Sequence, residues 1–122
     1  HPATVHFPIA LFLFGALLDA LGAWKGVNAL RQAGYWNMLG GALSALIAIP
    51  TGIAAFLRLG FTFPHVAIHF WLALGGALAM AGVVAYRRKH AEPTGRYWVG
   101  LAAAVLLVGA AGHFGAALVF GT

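Results

Sequence analysis

Six histidines and no cysteine make up the ligand-bearing chemistry of this 122-residue chain. Imidazole binds iron, copper and zinc alike and exchanges a proton near neutral pH. The spacing of these histidines carries the information. His65 and His69 are four apart, so on a helix they share one face, a turn apart. The string between them lacks the glutamate of a zinc-protease helix, which argues against peptidase chemistry. His1 and His6 stand near the start of the first apolar run. His65 and His69 open the third, and His113 lies near the end of the fourth. Runs one and three start on the same side and run four returns to it, so five of the six histidines gather near one side. His90 lies in a basic stretch on the opposite side and reads as a solvated loop residue. The sequence offers no nucleophile–base pair and no carboxylate pair, because its acids are Asp19 and Glu92 alone.

The elements that must position these groups are membrane spans. The chain is 62% hydrophobic and 7% charged, against about 25% charged for a soluble domain. A spanning helix needs about 20 apolar residues. On that criterion the spans are Val5–Trp24, Tyr35–Leu57, Pro64–Tyr86 and Tyr97–Phe120: an all-α, four-helix transmembrane bundle forming one domain over residues 1–122. Lys25–Gly34 and Arg87–Arg96 read as loops on one side, and Arg58–Phe63 as a tight turn on the other. Six of the seven Lys/Arg fall on the loop side, which places that side in the cytoplasm by the positive-inside rule. The expected location is the bacterial inner membrane, with both termini and the histidine cluster periplasmic. The net charge of +5 does not point to nucleic acid, since the cations sit in short loops and make no basic face. Trp24, Tyr35, Trp36, Tyr86, Tyr97 and Trp98 are expected to form an aromatic belt at the cytoplasmic interface. The first residue is His, so the chain reads as a trimmed product or part of something longer.

Two hairpins of similar pattern, residues 1–60 and 63–122, suggest an internal repeat. His6-Phe7 matches His69-Phe70, Pro2 matches Pro64, and Tyr35-Trp36 matches Tyr97-Trp98. Under a parallel repeat His6 and His69 become symmetry mates at equal depth across an axis along the membrane normal, a geometry suited to two axial ligands of one flat cofactor. At 1.5 Å per residue His69 lies about 8 Å inside its span, and His113 lies at a similar depth. Small residues at four-residue spacing (Gly41/Ala45, Ala48/Gly52, Ala73/Ala77/Ala81, Gly112/Ala116) are expected to let backbones approach in lipid. Pro50 should kink span two and release the carbonyl of Leu46. Phe7, Phe63, Phe70, Trp71 and Phe114 are expected to surround the histidines. Asp19 should pair with a loop cation, or relay protons through Asn37 and Ser44.

The opening His1-Pro2-Ala3-Thr4-Val5-His6-Phe7-Pro8-Ile9-Ala10-Leu11 resembles the signature of bacterial membrane proteins grouped as family 2231 of unknown function. The ending Gly112-His113-Phe114-Gly115 resembles that family's closing Gly-His motif, with Ala116 in place of a second Gly, and Pro50-Thr51-Gly52 also fits. The resemblance implies a four-helix inner-membrane domain, sometimes found with cytochrome-type domains.

These observations lead to one expectation and two rivals. The expectation is a membrane-bound haem b protein that transfers electrons near the periplasmic face, rather than a stand-alone enzyme. Its axial ligands would be His69 with His6 or His113, with His65 in reserve. Arg58 either pairs with haem propionates or snorkels as a turn residue. Bis-histidine ligation leaves iron no open position and so favours electron transfer. The implied partners are membrane lipid and either a periplasmic cytochrome or a larger respiratory or photosynthetic complex. The rivals are a copper or zinc site, and a cofactor-free accessory subunit.

Overall fold

The computed structural model describes residues 2–59 and 64–120, without the side chains of Pro2, Leu59 and His65. Four helices follow in order: α1 (Pro2–Lys25), α2 (Asn28–Leu59), α3 (Pro64–Lys89) and α4 (Gly95–Phe120). Each is long and apolar enough to cross a membrane. At 1.5 Å per residue the shortest is about 36 Å long, enough for a hydrocarbon core of about 30 Å. α1 and α3 both begin on proline, whose missing N–H costs nothing in a first turn.

The first connection corrects the sequence reading. Lys25–Gly34, expected as a loop, is helical from Asn28 onward, and only Gly26 and Val27 link α1 to α2. The cause is a C-terminal stop that takes two residues. Gly26 adopts φ +67°, which glycine reaches without a Cβ penalty, and Val27 N–H donates to the Gly22 carbonyl at 2.9 Å, the six-to-one bond of a Schellman end. Arg31, read as a loop cation, is therefore a helical residue turned into the bundle, 9% exposed. Similarly α3 continues through Arg87, Arg88 and Lys89, whose charges suit the negative end of its dipole. α4 starts behind Thr94, whose Oγ1 accepts from Tyr97 N–H at 3.3 Å, an N-cap bond. α2 runs unbroken through Pro50.

α1 packs along α2, and α3 along α4, much more extensively than the two hairpins touch each other. Within the first hairpin the backbones meet at glycines. A Cβ on Gly15 would lie 2.6 Å from Met38 N and 2.7 Å from the Gly34 carbonyl oxygen; one on Gly34 would lie 2.6 Å from Asp19 N. Gly22 and Gly41 are crowded in the same way, against Arg31 and Phe12. Close approach thus rests on Gly15, Gly22, Gly34 and Gly41, a seven-residue spacing on each helix. The expected small-residue rows behave otherwise: apart from Gly41 and Ala81, they line a cavity between the hairpins. Phe12, Met38, Met80, Val84, Leu101 and Val108 belong to the buried core.

Candidate functional site

The cavity lies between the hairpins at the histidine end. It has a volume of about 540 Å³ and takes wall residues from all four helices, a size within the range of ligand pockets. Its walls are almost wholly apolar and built from small residues, among them Ala45, Ala48 and Gly52 of α2, Ala73, Gly76 and Ala77 of α3, and Gly112, Gly115 and Ala116 of α4. Small side chains on facing helices leave a gap wherever the backbones do not close on each other.

Two histidines line it, His6 from α1 and His69 from α3. His69 is half-buried, and its Nδ1 lies 2.9 Å from the Ala111 carbonyl of α4. A carbonyl only accepts, so Nδ1 carries the proton, and the neutral ring then bears its lone pair on Nε2. A histidine oriented in this way, with Nδ1–H on a backbone carbonyl, has the usual arrangement of a metal ligand. The ring lies directly over Gly115, where a Cβ would come 2.9 Å from His69 Cε1. Glycine at this position is what lets the imidazole pack against α4.

The other expected site residues fall elsewhere. His113 is at the same end but exposed, edge-on to Phe114 with ring centroids 5.4 Å apart, and is absent from the cavity wall. Arg58 is exposed in the last turn of α2, also off the wall. The side chain of His65, together with His1 and Phe63, lies outside the described residues. The aromatic shell is corrected: Phe7, Phe70 and Trp71 are exposed, and the rings on the wall are Phe56 and Phe120. Phe7 and Phe70 each follow a wall histidine by one residue, which on a helix turns them about 100° away. His90 is the solvated loop residue expected, exposed and stacked on Tyr86 at 4.2 Å. Among the described residues no group of three or more His, Cys, Asp or Glu comes together.

A second constellation lies at the opposite, basic end. Asp19 of α1 is fully buried. Arg31 Nε of α2 donates to its Oδ1 at 2.9 Å, and Arg87 Nε of α3 stands 3.7 Å from the same oxygen. Tyr97 of α4 donates its hydroxyl to Oδ2. Each helix therefore contributes one polar side chain to the cluster, α1 the buried carboxylate and the other three its partners. Asp19 pairs with cations as expected, although they are helical rather than loop residues. Tyr97 is moved from the expected aromatic belt to the interior, 2% exposed, while Trp24 and Trp36 remain outside. Of the residues expected to continue from Asp19, Asn37 and Ser44 donate to carbonyls of their own helix, Ala33 and Gly41. The signal for this cluster was present in Asp19 itself, the one acid within a span, which in lipid must find partners. The misplaced start of α2 hid Arg31 from view.

The chain belongs to the family described as "Predicted membrane protein (DUF2231)", whose profile matches residues 1–122. No curated protein and no solved structure matches it.

Proposed function

We propose that this chain is a haem b domain of the bacterial inner membrane, with His6 and His69 as the residues that would hold the haem iron, and that it passes single electrons near the periplasmic face as part of a larger redox assembly. The observation that carries this reading is the pair of histidines from opposite hairpins on the wall of one apolar cavity of about 540 Å³. The chemistry of the donor set fits. A macrocycle supplies four of the six iron donors, so two imidazoles suffice, whereas a bare zinc or copper ion asks the protein for three or four, and no third ligand joins the pair among the described residues. The Ala111 carbonyl holds His69 through Nδ1, an orientation that would present Nε2 to the iron. When bound, haem would supply a reversible one-electron couple. The residues of this chain would hold it, exclude water with an alanine- and glycine-lined wall, and offer Arg58 at the same end as a cation for propionates. Orientation follows from charge: the six cations grouped at the other end favour a cytoplasmic basic end and a periplasmic histidine end.

The test is the absorption spectrum of the purified protein, produced with an ample supply of haem, together with that of His69→Ala. A low-spin six-coordinate spectrum in the parent is expected, with loss of haem or conversion to high spin in His69→Ala. A folded His69→Ala protein with full haem content and an unchanged spectrum would overturn the ligand assignment. A folded parent that takes up no haem would overturn the function in favour of an accessory subunit. Cysteine labelling at Glu92, in the 90–94 connection, should proceed only from the cytoplasmic side; labelling from the periplasm would reverse the orientation.

A further inference from the structure

We propose that the basic end carries a binding site for a phosphate group, built on Arg31 and Arg87 and independent of the haem reading. A polar pocket of about 400 Å³ lies there, with both arginines, Asn28, Gln32 and Glu92 on its wall. The two guanidiniums are poorly satisfied by the protein. Arg31 uses Nε on Asp19 and NH1 on the Ala91 carbonyl at 3.3 Å, while its NH2 is buried without a hydrogen-bond partner among the described residues. Arg87 Nε is likewise buried without one, its 3.7 Å approach to Asp19 being an ion-pair distance only. Both side chains are 11% exposed. These two N–H groups are closed off from the pocket as well as from water, so an anion reaches them only when a guanidinium turns outward, and making those bonds relieves the cost of leaving them unmade.

Charge and geometry select the ligand class. Two buried cations face one buried carboxylate, a surplus of one positive charge. Guanidinium forks match the oxygens of a phosphate bidentately. Asn28 is the first residue of the long helix α2, so first-turn N–H groups and the positive end of the dipole lie beside the same pocket. The pocket is walled by the end of α1, the first turns of α2 and the end of α3 with the connection that follows it, and basic pockets between spans take lipid head groups. Glu92 is the opposing feature. It is exposed on the wall and weakens the site in proportion to its charge. The phosphate can belong to a lipid head group or be free in solution.

Isothermal titration of the purified protein in neutral detergent separates these sources. The probes are dihexanoyl-phosphatidylglycerol, inorganic phosphate, and dihexanoylglycerol as the phosphate-free control. Saturable binding of the phospholipid without inorganic phosphate assigns the site to a head group; binding of both assigns it to the phosphate group itself. Arg87→Gln should weaken binding by roughly tenfold or more, the scale of a hydrogen bond to a charged group. Arg88→Gln, an exposed cation off the pocket wall, should leave it unchanged. Glu92→Gln, which leaves the arginines and their partners intact, should tighten binding and keeps the test available if Arg87→Gln fails to fold. The proposal is overturned if neither phosphate probe binds, if dihexanoylglycerol binds as well as the phospholipid, if Arg88→Gln loses as much as Arg87→Gln, or if Glu92→Gln fails to tighten binding.

Discussion

The two ends of the bundle solve the same problem with opposite use of small residues. At the basic end, glycines on α1 face glycines on α2 with backbone in contact, and the gap between hairpins is bridged by Asp19, Arg31, Arg87 and Tyr97, one from each helix. At the histidine end, alanines and glycines of the facing helices line a cavity of about 540 Å³. Lipid tails are as apolar as the helices, so no hydrophobic force draws the hairpins together. What joins them is a buried charge that must be shared, together with one buried apolar cluster that takes Phe12 and Met38 from the first hairpin and Met80, Val84 and Leu101 from the second. Where that charge is absent, small side chains make room instead of contact. The cluster at one end is what allows a cavity at the other, because it fixes the hairpins without requiring them to pack along their whole length.

The sharpest way to break this comparison is to remove the shared charge. Asp19→Ala leaves Arg31 and Arg87 buried without a counter-ion. It should cost about 3–5 kcal/mol, the usual penalty for breaking a buried pair, read as unfolding in a denaturant titration in detergent. Loss of under 1 kcal/mol would show that the hairpins are held elsewhere. The next effect in size belongs to the glycine contact. Gly34→Val places side-chain atoms against Asp19 N and the Gly15 carbonyl, both backbone and unable to yield. Forcing the helices apart should cost about 1–3 kcal/mol. Gly75→Ala meets nothing within 4 Å and should gain about 0.5–1 kcal/mol, the preference of a helix for alanine over glycine. Tyr97→Phe follows, at about 1–2 kcal/mol, because one donor to Asp19 is lost while Arg31 remains.

What the sequence could reveal follows from which forces act locally. Four apolar runs of spanning length, separated by cations, specify four helices with little ambiguity, and the all-α bundle is the result. Helix direction and depth bring His6 and His69 to one end, and the rotation of each helix puts both on one wall. The position of Arg31 was lost because a Schellman stop at Gly26 compresses a turn into two residues, and a run of Asn, Arg, Gln and Gly looks like loop when it is a helix end in the interfacial zone. The contrast between Gly15/Gly34 and Ala48/Gly52 was illegible for a different reason. Both are small residues at helical spacing, and only the facing helix decides whether a backbone or an empty volume meets them. His113 stands at the same end, exposed and off the cavity wall, and depth is read from sequence more easily than rotation.

The smallest effect on stability gives the finest test of the histidine end. Gly112 and Gly115 are one turn apart on α4, and both line the cavity. A Cβ on Gly112 would meet Ile9 Cδ1 at 3.7 Å, ordinary van der Waals contact, whereas one on Gly115 would press on His69 at 2.9 Å. Alanine in a helix gains about 0.5–1 kcal/mol over glycine, so Gly112→Ala should raise stability slightly. Gly115→Ala gains the same backbone term but must displace an imidazole held by the Ala111 carbonyl, and losing that bond takes back about 1 kcal/mol. By unfolding alone the second variant should therefore look almost silent. If His69 ligates haem, however, moving its ring shifts the low-spin spectrum and the midpoint potential in Gly115→Ala and not in Gly112→Ala. If His69 is a packing residue, the two variants differ in stability by about that one hydrogen bond and in no spectroscopic property. The pair thus separates a ligand from a packed side chain without removing the histidine.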